Sequence, residues 1–308
     1  MKVLVTGATG RVGQLLVPML LEQGHEVRTI QRGLTSSNAP WVSKVEVITG
    51  AISDRAVVDK AMKGIDVVCH LAALMPPHTD DELLSANLIG TYNILESIKE
   101  TQPTARLVHV STDAIYGTGQ SKRTYSKAIS EDVVPEPTNF YGISKVLCED
   151  LVSHGARQLG ISYVMLRFSW VFAASEILDL FSIPMWADFM SPEQRAATAG
   201  SDAIPVILEE DGSPFSEHVV DSRDAARACL LAINSKVSGE IFNVCGPDSF
   251  KYVDVSSSVA EKLGRTLVEV PLPDFHSYTF DISKAQKLLN FTPEHSIQSV
   301  LAEAFAAL

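Results

Sequence analysis

The sequence has few cysteines, and none of them forms a recognisable pair. Four occur among its 308 residues, far apart and in apolar stretches, at Cys69, Cys148, Cys229 and Cys245. Cysteine in such surroundings usually packs as a small hydrophobic residue, and these spacings match neither a zinc site nor a disulfide framework. We therefore expect four reduced core residues and no bound metal.

Positive charge is also scarce, because 25 Lys and Arg residues face 37 Asp and Glu residues and leave a net charge of -12. This balance disfavours binding to a nucleic-acid backbone or to an anionic membrane. No apolar run approaches the length that crosses a bilayer, and the chain opens directly on a strand-like segment rather than a cleavable signal. These absences predict a cytoplasmic protein whose ligand is a small molecule, with no nucleic-acid or membrane partner.

The N-terminus carries the clearest motif. The apolar run Lys2–Thr6 suits a buried strand, Gly7, Gly10 and Gly13 follow it, and an amphipathic helix is predicted over 12–23. In a strand, glycine turn and helix of this kind, the glycines allow a tight turn, close approach to a pyrophosphate, and packing of the helix on the strand. No lysine follows the glycines, so the motif predicts dinucleotide binding rather than an ATP-type loop.

Apolar segments alternate with helical patterns along the first half of the chain. Strands are predicted over 26–30, 45–48, 66–71, 106–110 and 162–166, and the clearest helices over 82–99 and 141–159. A hydrophobic content of 46% is enough for a full core. The alternation predicts an α/β fold with a doubly wound parallel sheet.

The alternation is lost near Phe168, where turn-rich segments begin. We expect residues 1–167 to form the dinucleotide-binding domain and residues 168–308 to form mainly a smaller substrate-binding lobe. Within the second part, a helix over 224–233 and a strand over 240–244 predict that residues 220–245 return to the first domain. Helices are also predicted over 252–263 and 296–307.

Tyr141 and Lys145 lie four residues apart in a predicted helix, downstream of the glycine turn. With the turn and several further motifs, they resemble the extended short-chain dehydrogenase/reductase family, which includes nucleotide-sugar epimerases and dehydratases. The other matching segments are 66–73, 87–93, 111–117, 130–145 and 281–285. The resemblance spans almost the whole chain and implies a Rossmann sheet with a small C-terminal substrate-binding lobe.

The resemblance also implies roles for individual residues. Thr112, Tyr141 and Lys145 are the expected catalytic residues. The expected cofactor contacts are Gly7, Thr9, Gly10, Arg11, Val12, Gly13, Arg32, Ala51, Ile52, Leu71, Ala72, Ala73, Asn87, Val110, Tyr141, Lys145 and Phe168. The expected substrate contacts are Thr112, Asp113, Tyr141, Ser169 and Trp170. In relatives, the helices that match 82–99 and 141–159 pair in a homodimer, so the same is expected here.

The chemistry expected of Tyr141 follows from its pKa. A phenol titrates near pH 10, so acting as a base at pH 7 requires about 4 kcal/mol of stabilisation of the phenolate. One positive charge ~4 Å away contributes about that much at an effective dielectric constant near 20. Lys145, one helical turn away, is placed to supply it. Together the two residues predict removal or delivery of a hydroxyl proton during hydride transfer.

The end of the second strand bears on which nicotinamide cofactor is used. NAD enzymes usually have an acidic residue there for the ribose hydroxyls, whereas this chain has Gln31 followed by Arg32. A guanidinium can pair with a 2'-phosphate, so NADP is favoured and NAD remains the alternative. Ala51 stands where many relatives have an aspartate that contacts adenine. The main chain of Arg11 is expected to face the pyrophosphate, while its side chain could equally lie in solvent.

Departures from the family pattern bear on the substrate. Ala114 replaces the glutamate that dehydratases use for elimination, and Asp113 could be an acid, a substrate ligand or a turn cap. Trp170 and Glu217 occupy positions where nucleotide-sugar enzymes commonly carry an asparagine and a diphosphate-binding arginine. A carboxylate repels a diphosphate, and Arg223 could compensate or simply pair with a neighbouring aspartate.

We therefore expect an NAD(P)-dependent oxidoreductase that acts on a secondary alcohol or ketone of a sugar, sugar acid or hydroxy-ketone. Two alternatives are a nucleotide-sugar epimerase that retains NAD and a non-catalytic dinucleotide sensor. The sensor is disfavoured because it would need none of the three catalytic residues.

Overall fold

The computed structural model describes residues 1–33, 39–121 and 123–308, and its centre is a sheet of seven parallel strands. In these ranges the strands are β1 (Lys2–Thr6), β2 (Glu26–Gln31), β3 (Glu46–Thr49), β4 (Val67–His70), β5 (Arg106–Thr112), β6 (Gly119–Gln120), β7 (Tyr163–Phe168), β8 (Val171–Phe172), β9 (Ile204–Glu209), β10 (Ser216–Glu217), β11 (Val220–Asp221), β12 (Glu240–Val244), β13 (Phe250–Lys251), β14 (Leu267–Leu272) and β15 (Phe275–His276).

Helices cover both faces of the sheet and part of the C-terminal half. They are α1 (Gly13–Glu22), α2 (Arg55–Met62), α3 (Asp80–Leu83), α4 (Gly90–Thr101), α5 (Phe140–Asp150), α6 (Ala156–Leu159), α7 (Ile183–Trp186), α8 (Pro192–Thr198), α9 (Ser222–Asn234), α10 (Tyr252–Leu263), α11 (Ser283–Leu289) and α12 (Ile297–Ala306). In the described ranges, no helix is both long and apolar enough to span a membrane.

The strands of the central sheet lie in the order β12-β7-β5-β4-β1-β2-β3. α1 packs beside α9, and α2 packs beside α4. Two apolar cores, one containing Leu16 with Cys229 and the other Val58 with Ile94, separate these helices from the strands. The predicted α/β class with a doubly wound parallel sheet is confirmed.

The strand order reverses between β1 and β4, because β2 and β3 follow on one side of β1 while β4 and β5 lie on the other. At such a point the connections leave in opposite directions and open a crevice at the carboxyl ends of the strands. Gly7 follows β1 and Leu71 follows β4, so both lie at this edge. The crevice is the first candidate binding site.

Two helices differ from their sequence-based outlines. The helix predicted over 82–99 consists of α3, a π-helical segment Leu84–Ile89 and α4, and the one over 141–159 contains the π-helical segment Leu151–Gly155. A π turn bonds each N–H to the carbonyl five residues back and is common near functional sites. Hydrophobic spacing alone did not reveal it.

Strand β5 also runs two residues beyond its predicted end at Val110. Ser111 and Thr112 continue the parallel pairing with β7, opposite Arg167 and Phe168. This pairing fixes Thr112 at the carboxyl edge of the sheet.

A third core is formed mainly by residues from the C-terminal half of the chain. It is rich in large aromatic side chains, including the fully buried Trp186, Phe181, Phe215 and Tyr252. The short strand pairs β9 with β14 and β6 with β15 border it. This aromatic core carries the walls of a second cavity described below.

Candidate active site

The glycine turn packs tightly against the end of β4. Gly7 adopts a left-handed φ of +71°, and a Cβ added there would lie 2.8 Å from the main-chain nitrogen of Ala72. A Cβ on Gly13 would lie 2.3 Å from the Gly7 carbonyl oxygen. Both contacts exclude a side chain, so the turn lies close to the sheet and brings the first turn of α1 to the crevice.

A cleft of about 430 Å³ opens beside this turn. Nine of the predicted cofactor contacts line it: Gly7, Thr9, Gly10, Arg32, Ala51, Ile52, Leu71, Ala72 and Ala73. Small residues and exposed main chain suit close approach by a dinucleotide, and helix α1 directs its N-terminus to this edge. The residues present therefore fit a nicotinamide dinucleotide.

The end of β2 provides no carboxylate to this cleft. The amide nitrogen of Gln31 donates to Thr29 Oγ1 over 3.1 Å, so the Gln31 side chain is turned back along its own strand. Arg32 is exposed and lines the cleft. At the end of β2 the cleft is therefore bordered by a cation and not by a carboxylate, and the carboxylate that does line the cleft, Glu82, comes from α3.

The Arg11 side chain is exposed, and it is also held by contacts with residues 171–176. Its guanidinium pairs with Glu176 over 2.5 Å, donates to the carbonyl of Val171 over 2.8 Å, and lies 5.9 Å from the ring centre of Phe172. Arg11 lines a separate surface cleft rather than the one beside Gly7. Its side chain thus connects the glycine turn to residues 171–176.

Other expected cofactor residues lie behind the cleft rather than on its wall. Asn87 is 1% exposed, and its side-chain amide donates to the carbonyl of Leu74 and to Ser144 Oγ, both over 3.0 Å, while accepting from the Leu74 nitrogen. Val12 and Phe168 are buried in the sheet core. Asn87 therefore holds Leu74, a cleft residue, in place.

Thr112 and Tyr141 meet at the carboxyl edge of β5. Their side chains are close enough for the Thr112 hydroxyl to affect the Tyr141 phenol, and Asn139 caps helix α5 by accepting from the Gly142 nitrogen over 2.8 Å. Lys145, one turn further along α5, is 3% exposed and donates from Nζ to the carbonyl of Val110 over 2.7 Å. The structure thus places Thr112, Tyr141 and Lys145 around the carboxyl end of β5.

The protonation state of Tyr141 differs from the sequence-based expectation. Desolvation of the largely enclosed ring raises its pKa to about 12, the nearby charge of Asp113 adds to this, and the neighbouring Thr112 hydroxyl opposes it. Burial also lowers the pKa of Lys145, whose ammonium is directed to the Val110 carbonyl. In this state Tyr141 is a neutral phenol at pH 7 and can donate a proton.

A second cavity, of about 470 Å³, borders this group. Asp113 and Asn139 line it, each within two residues of Thr112 or Tyr141. The remaining lining residues are Ala114, Thr118, Gly119, Ser121, Thr138, Trp170, Trp186, Phe189, Glu217, Asp274, Phe275 and Tyr278. Five aromatic side chains and three carboxylates give it an apolar wall with acidic groups.

Asp113 and Glu217 are both almost fully buried, at 3% and 2% exposed. Thr112 and Thr118 donate to Asp113 over 3.2 and 3.3 Å, and Tyr252 donates to Glu217 over 2.5 Å. Burial raises the pKa of each carboxyl to about 7, and the charge of Asp113 adds to the upward shift of Glu217. These groups are therefore acids that titrate near neutral pH.

Only some of the expected substrate residues line the cavity. Asp113 and Trp170 line the cavity, and the Trp170 ring stacks on Trp186 with centres 5.9 Å apart. Ser169 is 3% exposed, and its Oγ has no hydrogen-bond partner among the described residues. Arg223 pairs with Asp221 and Glu303, each over 2.8 Å, and does not line the cavity.

Several cavity residues carry no sequence signal. Asp274, Phe275 and Tyr278 come from a segment without a recognisable motif, and their approach to Asp113 depends on the pairing of β6 with β15. Glu217 had a signal only as a mismatch to the family pattern. Among the described residues, no group of three or more His, Cys, Asp or Glu side chains is arranged to hold a metal ion.

The parallel sheet, the glycine cradle at its switch point and the tyrosine-lysine helix define a dinucleotide-binding α/β enzyme. Residues 3–245 match the model of the NAD dependent epimerase/dehydratase family, and the chain belongs to this family. It is therefore an NAD(P)-dependent enzyme.

Individual relatives cover most of the chain. It is 30% identical over 245 residues to the L-arabinose 1-dehydrogenase (NAD(P)(+)) of Haloferax volcanii, covering 72% of this chain and 89% of that protein. It is 26% identical to the UDP-glucose 4-epimerase of Corynebacterium glutamicum, over 99% and 95% of the two chains. A crystal structure of a short-chain dehydrogenase/reductase superfamily protein from Agrobacterium tumefaciens with bound NAD superposes with a TM-score of 0.86 at 26% identity, covering 100% and 97%.

Proposed function

We propose that this protein transfers hydride between a nicotinamide dinucleotide and a secondary alcohol or ketone of a carbohydrate-like substrate. The observation that carries the proposal is the placement of Thr112 beside Tyr141 at the end of β5, next to the aromatic and acidic cavity. Lys145 lies one turn after Tyr141 on α5 and donates to the Val110 carbonyl. The similarity to a dehydrogenase of L-arabinose supports a sugar as substrate.

Each member of the triad has a distinct role in this proposal. Tyr141 donates a proton to the carbonyl oxygen during reduction, for which its neutral phenol is suited, and removes it during oxidation. Thr112 holds the same substrate oxygen through its hydroxyl. Lys145, fixed on the Val110 carbonyl, supplies positive charge beneath the phenol and donors for a ribose. A bound nicotinamide supplies or accepts the hydride.

We further propose that the chain prefers NADP to NAD. The support is Arg32, exposed on the cleft wall, together with Gln31, whose amide is turned back to Thr29. A guanidinium pairs well with a 2'-phosphate, whereas a ribose diol gains most from an acidic partner that β2 lacks. Residues 1–167 then hold the cofactor, and residues 168–308 mainly hold the substrate, apart from 220–245, which lie against the sheet.

An epimerase that retains its cofactor is the second candidate, because UDP-glucose 4-epimerases are among the relatives. The two candidates differ in what reaches solution. A dehydrogenase releases reduced cofactor in step with substrate consumption, whereas an epimerase keeps the dinucleotide bound and shows no net change in its absorbance. Glu217 in the cavity argues against the diphosphate of a nucleotide sugar.

The test has two parts. The dinucleotide and any ligand that co-purifies are identified by mass spectrometry, and aldoses, polyols, sugar acids and hydroxy-ketones are then screened with NADP and NAD for a change in nicotinamide absorbance. The proposal expects at least one substrate to reduce added cofactor stoichiometrically. A tightly retained dinucleotide, together with interconversion of two nucleotide sugars and no absorbance change, would replace it with the epimerase.

We also propose a homodimer built through the helices at 82–99 and 141–159. Four large apolar side chains on these segments are between 40% and 46% exposed: Ile89, Tyr92, Ile143 and Leu147. Side chains of this size gain free energy when they are buried against a second copy. The two π-helical segments lie in the same helices.

A further inference from the structure

The charge of the substrate cavity is one-sided. Asp113, Glu217 and Asp274 line it, and none of its described lining residues is Lys or Arg. Arg123, near Ser121 in the chain, donates to the carbonyl of Val134 and pairs with Glu136. Its charge is therefore engaged elsewhere.

The two buried carboxyls have hydroxyl partners but no cationic ones among the described residues. Asp113 accepts from Thr112 and Thr118, and Glu217 accepts from Tyr252 over 2.5 Å and from Tyr278 over 3.4 Å. Hydroxyl donors orient a carboxylate without cancelling its charge. Above pH 7, where both carboxyls are ionised, an anionic ligand in the cavity would meet this charge at short range and be repelled.

The remaining walls suit an uncharged polyhydroxy ring. Trp170 and Trp186 stack with centres 5.9 Å apart, and Phe189 and Phe275 meet edge to face with centres 5.2 Å apart. Trp170 and Phe189 are partly exposed and offer apolar surface to the C–H groups of a sugar, and the buried Trp186 and Phe275 support them from behind. Carboxylate oxygens accept hydrogen bonds from the sugar hydroxyls. Apolar surface and acceptors together favour a donor-rich ligand.

We propose that Asp113 and Glu217 select the substrate by charge, so that the cavity accepts sugars and polyols without a phosphate or carboxylate group. The inference rests on the proposed function, since it assigns the substrate class of the same site. It removes sugar acids and nucleotide sugars from the candidate substrates.

The experiment compares matched neutral and anionic ligands on the complete protein with NADP bound. Glucose with glucuronate and galactose with galacturonate form two pairs that share a pyranose ring, and UDP-galactose is a further anion. Calorimetric titration above pH 7 measures each Kd. In every pair whose neutral sugar binds, the Kd of the acid is expected to be at least ~10-fold higher than that of the sugar, and UDP-galactose is expected not to bind. In Glu217→Gln the ratio of the two Kd values should fall by ~10-fold.

Glu269→Gln is the matched control, because Glu269 is exposed and lies outside the cavity lining, yet the change in total charge is the same. It should leave the ratio of Kd values unchanged. Asp113→Asn provides a second variant if Glu217→Gln does not fold, and the wild-type ratio requires no variant.

Tighter binding of any acid than of its parent sugar, binding of UDP-galactose, or no binding of any neutral sugar would overturn the inference. A ratio that is unchanged in both Glu217→Gln and Asp113→Asn would also overturn it. Neutral sugars that bind with the expected ratio but never change nicotinamide absorbance would instead contradict the proposed hydride transfer and leave the charge selection standing.

Discussion

Lys145 donates a hydrogen bond from Nζ to the carbonyl oxygen of Val110, 2.7 Å away, and this contact fixes helix α5 against the carboxyl end of β5. Tyr141 lies one turn earlier on the same helix, beside Thr112 at the end of the strand. Strand and helix thus hold the phenol and the threonine hydroxyl in one relative position. Such fixed placement is what proton transfer to a substrate requires.

Replacing Tyr141 with phenylalanine is expected to lower kcat by about 10²- to 10⁴-fold, because the proton would lose its donor and acceptor. Steady-state kinetics on the substrate found by the screen provides the measurement. Tyr163→Phe is the matched control, since Tyr163 begins β7 at the end of the strand away from the site. Turnover by Tyr141→Phe close to that of the control would mean that another group moves the proton.

Stability should depend on pH through Glu217. Its folded-state pKa of about 7 exceeds the ordinary value of 4.5 because the carboxyl is buried. The folded state therefore holds this proton more tightly than the unfolded state, so this group lowers the free energy of unfolding as pH rises from about 4.5 to about 7. Asp113 acts in the same direction.

Glu217→Gln removes this dependence. The difference in free energy of unfolding, variant minus wild type, should therefore increase by up to ~3 kcal/mol as the pH rises from about 4.5 to about 8. Urea unfolding of both proteins across this range measures the difference. A difference that stays constant with pH would show that Glu217 ionises normally in the folded protein.

Arg32→Ala should weaken NADP binding by about 10-fold, because a charge-assisted bond to the 2'-phosphate contributes ~1.5 kcal/mol or more. NAD binding should change little. Titration of tryptophan fluorescence with each dinucleotide gives both dissociation constants. Arg265→Ala removes an equally charged, exposed side chain and should alter neither constant. Equal loss of NAD and NADP affinity in Arg32→Ala would refute recognition of the phosphate.

Leu147→Arg should convert the proposed dimer to a monomer, since a charge on the apolar face of α5 could not be buried against a second copy. Light scattering at micromolar concentration measures the mass. Leu267→Arg makes the same change on β14, where the leucine is 45% exposed, and should leave the mass unchanged. Wild-type protein with the mass of a single chain would exclude the dimer.

Gly7→Ala and Gly24→Ala separate backbone strain from close contact. Their φ angles are +71° and +76°, but a Cβ would meet Ala72 at Gly7 and nothing within 4 Å at Gly24. Strain alone costs ~1–2 kcal/mol, and we expect about that for Gly24→Ala. Gly7→Ala should cost ~1–3 kcal/mol more through the contact and should weaken dinucleotide binding. Similar unfolding midpoints for the two variants would contradict the tight turn.

The pattern of apolar and turn residues within short segments was enough to predict the strands of the sheet and the helices that cover it. Lys2–Thr6 and Glu240–Val244 have the predicted bounds, because their apolar runs are short and end at turn residues. The glycine turn and the four-residue spacing of Tyr141 and Lys145 can likewise be recognised from short stretches of sequence. These features depend on residues close together in the chain.

The cavity could not be predicted in the same way. Glu217 and Tyr278 approach Asp113 because an aromatic core packs together segments that are far apart in the sequence. The hydrophobic periodicity of a single segment does not predict such packing. The pKa of Tyr141 also depends on desolvation by the packing around it, which the spacing from Lys145 in the sequence does not reveal. Long-range packing therefore decides both the cavity and its acid-base state.

The return of β12 to the sheet limits how this fold could have arisen by exchange of modules. β7 has β5 on one side and β12 on the other, so a chain cut after residue 167 would leave an unpaired edge beside the active site. A recombination event at that point would yield two fragments that each lack a partner. New substrate pockets on this scaffold are therefore expected to evolve by changes within its loops, in an uninterrupted chain.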